Sequence, residues 1–202
     1  MRVISGIWKG RIFKAPKGIR PTSDKVKEAI FDILGRNING KSVLDLFSGS
    51  GSLGFEAISR GAASVVFVDN NKGCIRIIRE NLSKLIETRL QITEKQKNIK
   101  QWTIDYGLWN TSVLHLDVFK AIHLFHRKGK KFDIILLDPP YYKDVVRKVL
   151  INFLSYDILS RNGLIIAEHY KKDVLPNTVE RLKLIRQSQY GDTMVSFFGE
   201  IG

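Results

Sequence analysis

Ser42-Val43-Leu44-Asp45-Leu46 is a short apolar run, and Gly49-Ser50-Gly51-Ser52-Leu53-Gly54 follows almost at once. A strand entering a GxGxxG turn and then a helical pattern (Leu53, Ala57, Ile58) opens a nucleotide-binding strand–helix–strand unit. Parallel neighbours need crossover connections, so this start commits the chain to a mostly parallel sheet with helices on both faces. Apolar runs at 64–68, 113–115, 132–137 and 163–168 supply further strands, and helical patterns lie near 72–85, 118–126 and 143–155. Two final strands, 180–188 and 193–198, meet at Tyr190-Gly191-Asp192 and are expected to be antiparallel. The expected fold is α/β and Rossmann-like, a seven-stranded sheet with an antiparallel last strand.

Upstream, residues 2–5 and 10–14 read as a small basic β-hairpin, broken off by Pro16, Gly18 and Pro21. Thr22 or Ser23 caps a helix carrying Val26, Ala29, Ile30, Ile33 and Leu34. The expected organisation is a hairpin extension at 1–21 and one domain at 22–202. Residues 86–110 fit the alternation poorly and read as an extended helix plus loop, or an inserted flap.

The glycine turn alone is compatible with NAD, FAD or S-adenosylmethionine, or with a tight turn and no ligand. Asp45 separates them. A carboxylate four residues before Gly49 would repel a pyrophosphate but favours the ammonium and sulfonium of S-adenosylmethionine. Asp69, at the end of the second strand, stands near the ~20-residue spacing of a ribose-binding acid. Asp117 has two readings, an acceptor for the adenine amino group or a helix N-cap.

Asp138-Pro139-Pro140-Tyr141 follows the fourth strand directly. An exocyclic amine on a base is a poor nucleophile because its lone pair is delocalised into the ring. Two acceptors aimed at its N–H groups localise that lone pair. The Asp138 carboxylate and the Pro139 carbonyl, held by restricted proline geometry, are suited to this. Tyr141 offers a stacking face. No metal is required.

Charge makes nucleic acid the first partner to consider, with a generally basic soluble protein as the alternative. Lys and Arg number 33 against 20 Asp and Glu, a net charge of +13, which attracts phosphate. Residues 1–23 contain Arg2, Lys9, Arg11, Lys14, Lys17 and Arg20 and no acid. Cys74 is the sole cysteine, and no apolar run reaches the roughly 18 residues of a membrane helix, so a cytoplasmic protein is expected. His123 and His126 lack companions for a zinc site.

Leu44-Asp45-Leu46-Phe47-Ser48-Gly49-Ser50-Gly51 with Asp138-Pro139-Pro140-Tyr141 resembles the class I amino-methyltransferases. Arg2-Val3-Ile4-Ser5-Gly6, Gly10-Arg11, Arg20-Pro21-Thr22-Ser23-Asp24 through Phe31, Gly51 through Ala62, and Tyr190-Gly191-Asp192-Thr193 resemble the bacterial 16S ribosomal RNA guanine-N2 methyltransferases, the RsmD family. The resemblance implies S-adenosyl-L-methionine as donor and a guanine N2 of 16S rRNA, free or in an assembling small subunit, as acceptor. It implies a catalytic set of Asp138, Pro139, Pro140 and Tyr141. It implies cofactor contacts at Thr22, Asp45, Phe47, Gly49, Ser50 and Gly51, and further at Gly54, Asp69, Asn70 and Asp117. Arg2, Lys9, Arg11, Lys14 and Arg20 are expected to grip RNA, and a monomer is expected. The motif itself serves adenine N6 equally well, and a non-catalytic RNA-binding module is a further alternative.

Overall fold

The computed structural model describes residues 1–19, 21–93, 110–140 and 144–200. Arg20, Tyr141 and most of the poorly fitting 86–110 stretch lie outside them. The sheet comprises β1 (Ser42–Leu46), β2 (Ser64–Asp69), β3 (Thr111–His115), β4 (Phe132–Leu137), β5 (Leu159–Tyr170), β6 (Thr178–Val179), β7 (Leu182–Tyr190) and β8 (Thr193–Glu200). Their spatial order is β3-β2-β1-β4-β5-β8-β7-β6. The first five are mutually parallel, and β8 runs antiparallel to both β5 and β7. This is the class I methyltransferase fold. The strand count is eight, one more than the sequence pattern suggests, because Thr178–Val179 adds a two-residue edge to β7. Such a short strand leaves no periodic signal.

The helices are α1 (Asp24–Leu34), α2 (Ser52–Ser59), α3 (Lys72–Thr93), α4 (Val118–Arg127) and α5 (Val145–Ser155). Side chains of α1, α2 and α3 share one core with one sheet face, while α4 and α5 fill the core on the other. Central strands are therefore covered on both sides, and β1, β2 and β4 are almost continuously apolar. From β1 the chain turns outward through β2 and β3, then crosses back to β4 on the other side of β1. A crevice is thereby left beyond the carboxyl ends of β1 and β4, where open α/β sheets bind ligands.

The N-terminal hairpin expected as two strands is reduced to one antiparallel bridge, Arg2 to Ile12, with a 3-10 turn at Gly6–Trp8 between. The reason lies in where its donors go. The backbone N–H groups of Ile4 and Ser5 bond the Glu56 carboxylate at 2.9 and 3.0 Å, and Trp8 N–H bonds Ser59 Oγ at 2.9 Å. Those donors serve α2 rather than a strand ladder. Val3, Trp8 and Phe13 belong to the core beneath α2 and α3, and the Phe13 ring stacks on Phe55 at 4.7 Å. Asn81 of α3 completes the attachment, bonding both backbone groups of Lys14.

Candidate active site

Three carboxylates converge on the carboxyl rim of the sheet. Asp45 stands on β1, Asp69 ends β2, and Asp138 follows β4. Register explains the convergence: Asp45 pairs with Phe67 and Leu136, so the three strands reach the rim within a few residues of one another.

Asp45 is 1 % exposed, and Gly54 N–H donates to its Oδ2 at 3.0 Å. Burial pushes its carboxyl well above the usual carboxylate range against that hydrogen bond, and the charges of Asp138 and Asp69 push the same way. Such a cluster favours a positively charged ligand over a negatively charged one. Gly54 is required where it is: a Cβ there would stand 2.2 Å from the Phe67 ring and 2.9 Å from Asp45 Oδ2. Gly51 has φ +78°, and this left-handed residue turns the loop into α2.

Asp69 ties the turn down. Its Oδ2 accepts from Gly49 N–H at 2.8 Å and its Oδ1 from Asn71 N–H at 2.7 Å. Both oxygens keep further acceptor capacity. Phe47 holds φ +60°, an unusual conformation for a bulky side chain. Ser48, not singled out by the sequence reading, holds the turn that follows. Its Oγ donates to Asp45 O at 2.6 Å and accepts from Val68 N–H at 2.9 Å. Ser50 is buried in the turn, and Asn70 is exposed at the rim. Asp117 caps α4, its Oδ1 accepting from Phe119 and Lys120 N–H at 3.0 and 3.2 Å.

Of the Asp-Pro-Pro-Tyr motif, Pro139 is buried, Pro140 is exposed and Asp138 is half-buried. Thr22 Oγ1 donates to Asp138 Oδ2 at 2.7 Å. Ser23, not Thr22, caps α1, its Oγ accepting from Val26 N–H, so the threonine hydroxyl is available for this contact. Burial raises the Asp138 carboxyl to about 6, opposed by the Thr22 hydrogen bond. Ile19 completes the cover: a Cβ built on Gly49 would lie 3.6 Å from its Cγ2. The segment before α1 thus lies across the crevice. Among the basic N-terminal residues, Arg2 pairs with Asp24 at 2.9 Å, Lys14 pairs with Glu80 at 3.1 Å, Lys9 is exposed and Arg11 is half-buried.

The donor set matches S-adenosylmethionine. Residues 42–59, the strand, glycine turn and α2, contain no Lys or Arg to receive a pyrophosphate, while three carboxylates face one rim.

The sequence profile of the family described as "Conserved hypothetical protein 95" matches residues 1–199. Haemophilus influenzae "Ribosomal RNA small subunit methyltransferase D" is 32 % identical over 95 % of this chain and 89 % of its own. The chain belongs to the RsmD family. Within the family, Bacillus subtilis "Putative rRNA methyltransferase YlbH" is 37 % identical over the full length of both chains. The solved structure of "Putative methyltransferase yhhF" from Escherichia coli superposes with a TM-score of 0.79 at 26 % identity, covering 99 % of this chain and 97 % of that one.

Two residues of this RsmD-family chain were missed in sequence. Glu56 is fully buried and holds the N-terminal segment, and it also accepts from Arg60 Nε at 2.8 Å. Lys27 is 1 % exposed, donates to Arg2 O and pairs with Asp24 at 3.2 Å. The signal for Glu56 was present. It is the one charged residue in Ser52–Ser59, an otherwise apolar and small-residue helix, and such a residue is buried only with partners.

Proposed function

We propose that the protein methylates the exocyclic N2 amino group of a guanine in small-subunit ribosomal RNA, using S-adenosylmethionine. The observation that carries this is the Asp138 carboxylate, held by Thr22 close to Asp45, Asp69 and the glycine turn at the carboxyl rim. Family membership supports methyl transfer to small-subunit rRNA, and the choice of guanine N2 is the finer part of the reading.

Asp45, Asp69, Asn70, Phe47 and the turn from Gly49 to Gly54 hold the cofactor, with Thr22 closing over it. When bound, S-adenosylmethionine supplies a methyl group on a positively charged sulfur. The protein's own work is to prepare the nitrogen. Thr22 takes one Asp138 oxygen and fixes the carboxylate plane, so the second oxygen can accept one N–H of the amine. The Pro139 carbonyl accepts the other, and the lone pair is drawn out of conjugation. Tyr141, which the motif supplies as its aromatic residue, offers a stacking face for the base. Asp138 then takes the proton that the methylated nitrogen sheds, directly or through water. Asp117 is left to its helix cap, with its second oxygen available to an adenine amino group. The reading includes a monomer working in the cytoplasm on free RNA or an assembling subunit, with Lys9 and Arg11 on phosphate.

The test supplies labelled S-adenosylmethionine with unmodified small subunits, free 16S rRNA and duplex DNA. N2-methylguanosine at one site is the expected product. N6-methyladenine would overturn the base assignment, and no label on any acceptor would leave only a binding module.

A pH profile follows from Asp138. Its carboxyl, raised to about 6, must be ionised to accept the amine N–H. Activity measured as kcat/KM is expected to rise with pH through about 6 and then level off. Asp138→Asn keeps an accepting oxygen but cannot titrate, so it retains reduced activity with a flat profile over that range. An unchanged limb in that variant would assign the ionisation to another group.

A further inference from the structure

We infer that the outward face of α3 is a further RNA-binding surface, a phosphate-binding cleft that extends the N-terminal grip from Lys14 along the helix. This rests on the reading of RNA as the acceptor. The helix divides its residues cleanly. Cys74, Ile75, Ile78, Leu82 and Leu85 face the core. Lys72, Arg76, Arg79, Ser83 and Lys84 recur at helical spacing on the opposite side, where they line a cleft of about 710 Å³. Lys14 forms its second wall, fixed there by the Asn81 hydrogen bonds, and His115 closes its upper end. Among the described residues Glu80 is the lone acid of the lining.

Position gives the cleft its use. His115 Nε2 bonds Asn70 O at 3.0 Å, so the cleft begins at the carboxyl rim beside the residue after Asp69. From there it follows α3 from Lys72 to Lys84, about 18 Å at 1.5 Å per residue, the length of several nucleotides of backbone. An RNA strand delivering a base to the crevice can continue along it. Arg79 is already oriented, its Nη2 donating to Val113 O at 3.1 Å, and its remaining guanidinium donors suit phosphate oxygens. Glu80 pairs with Lys14 at 3.1 Å and lies 3.9 Å from Arg76, so it competes with phosphate for both cations. Among the described residues Ile75 is the one apolar member of the lining, and five Lys and Arg side chains dominate it, which suits a polyanion better than an apolar protein surface.

Two full-chain variants of opposite sign test this. Lys72→Glu/Arg76→Gln removes two phosphate partners. It is expected to weaken binding of unmodified 16S rRNA about tenfold or more near 0.1 M salt and to flatten the log–log salt slope by about 1.5–2. Glu80→Gln removes the lining's acid and is expected to tighten binding. S-adenosylmethionine affinity and the unfolding midpoint should stay near wild type in both. Unchanged RNA affinity and slope in the first variant, with wild type binding and methylating normally, overturns the cleft. Retained affinity for free RNA with lost affinity for the assembled subunit overturns it in favour of an acidic protein partner. Failure of the wild-type protein itself to bind or methylate RNA would be a failure of the parent reading, seen before any variant is made.

Discussion

Asp138→Ala is expected to lower kcat by about 10³- to 10⁴-fold while S-adenosylmethionine binding survives within a few-fold. The loss follows from the amine's chemistry. Without the carboxylate one N–H has no acceptor, the lone pair stays in the ring, and the departing proton has no nearby base. Cofactor affinity is spared because Asp45, Asp69 and the glycine turn are untouched. Folding is spared as well. The Asp138 carboxyl titrates near 6 when folded, above the ordinary aspartate value of 3.8. Between those values the folded protein keeps a proton that the unfolded chain has released, so stability from this group falls as pH rises through that window. At neutral pH alanine removes an unfavourable buried charge and loses one hydrogen bond from Thr22. Single-turnover rates and calorimetric titration of cofactor on the same sample check both halves. Normal turnover would remove Asp138 from the chemistry. A lost turnover accompanied by lost cofactor binding would make it a cofactor residue instead.

Glu56→Ala is expected to have the largest effect on stability. The carboxylate is fully buried and accepts from Ile4 N–H, Ser5 N–H and Arg60 Nε at 2.8–3.0 Å. Removing it leaves two half-buried backbone donors and most of a guanidinium without acceptors, though Arg60 keeps Asp32 at 3.5 Å. Breaking a buried pair in this way costs about 3–5 kcal/mol. In a chain of this size each kcal/mol lowers the unfolding midpoint by roughly 2–4 °C, so a fall of about 10 °C is expected. Glu56→Gln, which keeps an accepting oxygen and the volume, should lose markedly less. The functional consequence follows the same path. A loosened N-terminal segment no longer supports Lys14 against α3 or Thr22 against Asp138, so RNA affinity and turnover fall together. A midpoint within about 2 °C of wild type for the alanine variant would show that the segment is held by Phe13 and Trp8 packing alone.

Local pattern is legible when it is long or chemically specific. The buried strands β1, β2 and β4 announced themselves as apolar runs, and the glycine turn and Asp-Pro-Pro-Tyr named the ends of β1 and β4. The two-residue β6 and the early start of β5 at Leu159 depend on a neighbour's hydrogen bonds and have no periodicity of their own. Residues 2–5 and 10–14 had a strand-like composition, but Glu56 and Ser59 compete for their donors. Asp117 had two readings in sequence. The structure engages one of its oxygens in the α4 cap, a contact set by local backbone geometry.

By itself the sequence determined the parallel α/β class and placed Asp45, Asp69 and Asp138 at the carboxyl ends of its strands. These follow from covalent spacing, because a buried strand and a tight turn allow only one order of events along the chain. Tertiary structure decided what distant segments do to one another. It gave the Thr22 hydroxyl to Asp138, raised the Asp45 carboxyl by burying it near two other acids, and fastened the basic N-terminus to α2 through Glu56. Those outcomes turn on desolvation and on which donor finds which acceptor, quantities that exist only once segments as much as 116 residues apart have been packed together.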